Sequence, residues 1–120
     1  MEDRNLFRLG HIRDSISKIE YLANNLHSYD NFEERWVEQD AIIRNLEIIG
    51  EASINVSNDL KERYPDVNWR EMRGMRNFVT HQYFGVELSD IWFTVINDIP
   101  ILKKQIQNII DDSGGDYQTI

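Results

Sequence analysis

Leu6, Leu9, Ile12, Ile16, Ile19, Leu22 and Leu26 follow one another at intervals of three or four residues without exception. That period places all seven on one face of an α-helix and is incompatible with a strand, whose side chains change face at every residue. A helix with such a stripe must bury it, so the chain needs further elements to cover it. The period returns along the sequence. Asp30 with Glu33 has the form of a capping box opening a second helix, whose stripe takes in Phe32, Trp36, Ile43, Leu46, Ile49, Ser53 and Val56. Ile42, Ile48 and Ala52 widen that stripe, which predicts burial on more than one side. The turn Arg63-Tyr64-Pro65-Asp66 ends the segment. Asn68 with Glu71 caps a third helix, with Trp69, Met72, Met75 and Val79 as its apolar face. Gly85 breaks the chain, Ser89 caps a fourth helix through Trp92, Val95, Ile96 and Ile99, and Pro100 either kinks it or opens a fifth through Leu102, Ile106 and Ile109. The expectation is an all-α bundle of four or five helices over residues 1–110. Residues 111–120, which begin Asp111-Asp112-Ser113-Gly114-Gly115-Asp116, are expected to form a flexible tail.

Composition narrows what such a bundle can do. A chain of 120 residues allows one domain. The absence of cysteine excludes disulfide frameworks, zinc ribbons, iron–sulfur clusters and thiol nucleophiles. His11, His27 and His81 lie far apart, with no close ligand spacing, so no metal and no cofactor is expected. No apolar run nears the ~18 residues that span a bilayer. The charged start Met-Glu-Asp-Arg-Asn has no apolar core behind it, so the expected place is the cytoplasm, away from membranes.

The net charge is −8, but it is unevenly distributed. Residues 1–60 carry 6 basic and 12 acidic side chains, residues 82–120 carry 2 and 6, and residues 61–81 carry 5 and 3. An acidic whole disfavours sequence-blind binding to nucleic acid, whereas a short basic segment within it suits a focused cationic cleft. On a continuous α-helix Arg70, Arg73, Asn77 and His81, spaced by 3, 4 and 4, share a polar face. Arg76, five residues before His81, then stands about 140° away from it. Gly74 costs about 1 kcal/mol in a helix relative to Ala and suggests close approach of another backbone.

Arg76-Asn77-Phe78-Val79-Thr80-His81-Gln82-Tyr83 resembles the R-x4-H-x-Y signature of HepT-like toxins in the HEPN superfamily. Arg44-Asn45-Leu46-Glu47-Ile48-Ile49-Gly50-Glu51-Ala52 resembles that family's second-helix motif. Tyr64-Pro65 with Trp69, Ile91-Trp92 and Asp98-Ile99-Pro100 fall where the family has similar residues, so the likeness spans roughly residues 5–110. It implies a HEPN-type helical homodimer whose paired motifs meet in a cleft and cut RNA without a metal ion. It also implies an MntA-like nucleotidyltransferase antitoxin as partner, able to silence the toxin by transferring AMP to the motif tyrosine, here Tyr83.

The residue chemistry suits those roles. RNA carries its own nucleophile, the 2′-hydroxyl, so the enzyme has to move protons and stabilise charge on phosphorus. His81, with a reference pKa of ~6.5, suits the first task. Arg76, whose fork matches phosphate oxygens, suits the second. Asn77 can orient the imidazole or bind phosphate, Tyr83 can contact RNA, and Arg70 and Arg73 extend the cationic track. Gly50 allows a tight helix crossing, while Glu47 and Glu51 either orient arginines or form surface pairs. The alternative function is a non-catalytic HEPN subunit that binds a nucleotide or protein and docks a nucleotidyltransferase.

Overall fold

A computed structural model describes residues 3–80 and 87–114, so His81, Tyr83, Gly85 and residues 115–120 lie outside the described residues. Every regular element among the described residues is helical. Helix α1 (Asp3–Leu26) turns its stripe inward, with Leu9, Ile12, Ile16, Ile19 and Leu26 buried and Leu6 and Leu22 partly so. It stops where His27 takes a left-handed φ of 69°, a conformation few non-glycine residues adopt and one that suits a helix end.

The capping box expected at Asp30 is displaced. Ser28 is the N-cap of a short helix α2 (Tyr29–Glu34), its hydroxyl accepting from the Asn31 backbone N–H. The chain breaks at Arg35 before α3 (Trp36–Ile54) begins. The expected second helix is therefore interrupted here. The Gln39 side-chain amide donates to the carbonyls of Phe32 and Glu33 at 2.8 and 2.9 Å and so ties the first turn of α3 back across the break, where the Phe32 carbonyl also accepts from the Arg35 N–H. The break also divides the stripe: Phe32 is buried and stacks on Trp92 at 5.0 Å, whereas Trp36 is 70% exposed.

Helices α1 and α3 pack along their lengths, contributing Ile42, Ile43, Leu46 and Ile49 from α3 to the core. The start of α1 meets the end of α3, which makes them antiparallel: Arg8 donates to the Asn55 carbonyl at 2.8 Å and Asn5 donates to Ser57 Oγ at 2.9 Å. Ser57 then caps a short helix α4 (Asn58–Arg63) that the sequence reading did not separate. Asn68 caps α5 (Trp69–Gly74) as expected, its side-chain oxygen accepting from the Glu71 N–H at 2.9 Å. From Met75 to Thr80 the chain winds as a 3-10 helix.

Helix α6 (Leu88–Phe93) is capped by Glu87 rather than Ser89, with Asp90 accepting from the Glu87 N–H. It runs through a π-helical turn, Thr94–Asp98, into α7 (Ile99–Asp112). That turn is the structural answer to Pro100, which has no N–H to give and would crowd the preceding turn of an ordinary helix. The Ile99 N–H instead reaches back five residues to the Thr94 carbonyl, and Pro100 sits in the first turn of α7. Helix α7 returns across α1, burying Leu102, Ile106, Ile109 and Ile110, with Lys103 paired to Glu20 at 2.9 Å. No helix of the described residues is long and apolar enough to cross a membrane.

Candidate nucleic-acid interface

The basic segment rests on two buried anchors, Met72 and Met75. Its cations face outward. Lys61 from α4, Trp69, Arg70, Arg73 and Gly74 from α5, and Arg76 and Asn77 from the 3-10 turn line one open cleft of about 650 Å³. The cleft therefore gathers four cationic side chains within a protein of net charge −8.

The change of helix type explains how they meet. A continuous α-helix sets each residue about 100° from the last, so residues three apart are offset on its surface. In a 3-10 helix, residues three apart eclipse one another. Arg73 lies one residue before the end of the α-helical portion and Arg76 just inside the 3-10 portion, so the step between them is nearer to eclipsed than in a continuous α-helix. The continuous α-helix assumed for this stretch does not hold from Met75 to Thr80. Arg76 joins the other arginines within one chain.

Gly50 sets the depth of this segment. A Cβ added there would lie 2.7 Å from the Arg76 backbone nitrogen, 3.0 Å from Arg76 Cβ and 3.2 Å from the Arg73 carbonyl oxygen. Bare backbone on α3 thus seats the chain between the two arginines. The expectation for Gly74 is corrected: a Cβ there would meet nothing within 4 Å, because that residue faces the cleft and not another backbone. The two α3 glutamates also part company. Glu47 pairs with Arg44 on its own helix at 2.8 Å, while Glu51 reaches Arg76 Nε at 3.3 Å. Both partners of the second pair are about half exposed, so the contact directs the guanidinium more than it stabilises the fold.

Lys61 and Trp69 are the lining residues that sequence reasoning did not assign. Trp69 reads as part of an apolar stripe, and its half-buried ring does pack on the core, with the indole N–H donating to the Tyr64 carbonyl at 3.0 Å. Lys61 Nζ stands over the ring, 6.0 Å from its centroid. Burial, and then the nearby charge of Arg73, lower the Lys61 pKa from its usual value. The position of Lys61 within the basic segment was the available signal. On another side of α5, Glu71 faces Asp98 in a smaller cavity of about 170 Å³. Burial raises the Glu71 pKa, and a hydrogen bond to Asp98 and repulsion by its charge add to the shift.

The ribonuclease HepT-like family model matches residues 12–109, most of the chain. The chain belongs to the HepT-like family. A Methanocaldococcus jannaschii protein with a provisional RNase name is 43% identical over 79 residues, covering 66% of this chain and 72% of that protein. A Thermococcus cleftensis protein, provisionally named ribonuclease HepT, is 51% identical over 71 residues, or 59% of this chain and 64% of its own length. A second M. jannaschii protein joins gamma-glutamylcyclotransferase to a provisional RNase in its name. It is 39% identical over 104 residues, and the match takes in 87% of this chain but 46% of that longer protein. No solved structure matches the chain. Of the HepT-like motif, the cleft holds the arginine end, Arg76 and Asn77. His81 and Tyr83 lie outside the described residues.

Proposed function

We propose that this HepT-like chain is a metal-independent endoribonuclease, the toxin of a toxin–antitoxin pair. The observation that carries the reading is the cleft that Arg70, Arg73 and Arg76 line together with Asn77, at the start of the R-x4-H-x-Y motif. Family membership supports the same reaction class.

In the proposed reaction His81 accepts the proton of an RNA 2′-hydroxyl as that oxygen bonds to the adjacent phosphorus. The bond from phosphorus to the 5′-oxygen breaks, and the departing oxygen takes up a proton. The products are a 2′,3′-cyclic phosphate and a 5′-hydroxyl. Arg76, held at Nε by Glu51, presents its terminal nitrogens to the phosphate oxygens as negative charge builds there. Arg70 and Arg73 hold neighbouring phosphates. The protein works as a homodimer, in which two basic segments concentrate positive charge in a shared groove. A nucleotidyltransferase antitoxin neutralises it by placing AMP on Tyr83, adding bulk and negative charge where RNA enters.

Purified protein incubated with cellular RNA in the presence of a chelator should yield discrete fragments with cyclic phosphate ends. His81→Ala should slow this by about 100- to 10,000-fold, the range of a lost general acid–base. Identical fragments from wild type and His81→Ala would end the reading. Tyr83→Phe should stop AMP transfer by the antitoxin, and continued labelling of that variant would remove Tyr83 as the acceptor.

A further inference from the structure

Trp69 has the properties of a platform. Its ring packs against the core on one side, and the Tyr64 carbonyl fixes its indole N–H. Lys61 lies over the ring and both side chains line the cleft, so the accessible part of the indole borders the row of arginines. An aromatic face beside a line of cations is the arrangement that single nucleic-acid strands occupy, with bases on the ring and backbone on the charges.

The spacing of the cations fits the same ligand. Arg70 and Arg73 are neighbours one helical turn apart, about 5–6 Å between Cβ atoms, and Arg76, at the start of the 3-10 turn, lines the same cleft. A strand lying along this row meets a positive charge at successive steps. A duplex keeps its bases stacked inside and offers none to an indole.

We infer that the cleft binds a single-stranded RNA segment, with one nucleobase on the Trp69 indole and the adjoining phosphates on Arg70, Arg73 and Arg76. The inference rests on the ribonuclease reading and specifies the form of its substrate. Lys61, a compact charge on a flexible stem, moves off the ring as the base takes its place and turns to the phosphate beside that base.

The test uses the full chain and a short fluorescent 2′-O-methyl oligonucleotide, which lacks the attacking hydroxyl and is not cut. Trp69→Leu should weaken single-strand binding by about 5- to 100-fold and leave the salt dependence unchanged, since no phosphate contact is lost. Trp69→Phe should retain most of the affinity. Arg70→Gln should instead reduce the slope of log affinity against log salt by about 0.7. For wild type, a strand made abasic should bind as weakly as the intact strand binds to Trp69→Leu. The abasic strand answers the question even if the Trp69→Leu protein folds poorly. Equal binding of intact and abasic strands, or of single strand and duplex, would overturn the inference while wild-type cleavage left the ribonuclease reading standing. Wild-type protein that neither binds nor cuts RNA would overturn both.

Discussion

On one side of α3, Ile42, Leu46 and Ile49 meet Leu9, Ile12, Ile16 and Ile19 of α1, and none of these is more than 1% exposed. On another side, the same helix meets the basic segment through a glycine, a glutamate and two arginines. The first contact is apolar, continuous and built from regular helix. The second is a close backbone approach with charge around it, at the point where α5 becomes a 3-10 turn. Area removed from water supplies cohesion in the first. In the second, the guanidinium groups stay exposed and reachable. The contrast predicts that the two regions respond to mutation in different currencies.

Leu46→Ala should make that separation visible with the largest effect, a loss of about 2–5 kcal/mol of stability, read from urea unfolding. RNA cleavage by the fraction still folded should be unchanged. Arg76→Ala should do the reverse, lowering the cleavage rate by about 100- to 1,000-fold with little change in the unfolding midpoint. A large stability loss in Arg76→Ala would break the comparison. Gly50→Ala lies on the boundary, because its Cβ would press on Arg76 backbone 2.7 Å away. It should cost about 1–3 kcal/mol and also reduce cleavage, so an active and fully stable Gly50→Ala protein would show that the seating is not required.

The smallest effect concerns pH. Glu71 has a raised pKa, so the folded state binds its proton more tightly than the unfolded chain does. The resulting stability is present below the ordinary glutamate range and is lost as pH rises through the raised value. Glu71→Gln should flatten that fall and stabilise the protein at neutral pH by less than about 1 kcal/mol, as expected for a largely exposed group. Thermal melts of both proteins at several pH values measure it, and parallel curves would remove Glu71 as the cause.

The two regions also differ in how far they could be read from sequence. The α1 stripe was legible because a regular helix repeats one rule at every turn, and the Asn68 cap because its partner lies three residues away. The division at Arg35 was not. Ser28 and Asp30 both suit an N-cap, and the choice is made by a left-handed His27 and by Gln39 reaching back to two carbonyls. At the candidate site the cation spacing was plain, but the geometry read from it assumed one continuous α-helix. Local periodicity could not reveal the 3-10 turn that carries Arg76, nor the entry of Lys61 from a separate short helix, because tertiary contacts determine both.

The contact at Gly50 has a consequence for any attempt to move this chemistry elsewhere. Residues 68–81 grafted onto a new scaffold would take the arginines along but leave behind the bare groove that spaces them and the carboxylate that aims one of them. The smallest portable cassette therefore includes two turns of α3, a helix whose own residues have no part in the proposed proton transfers.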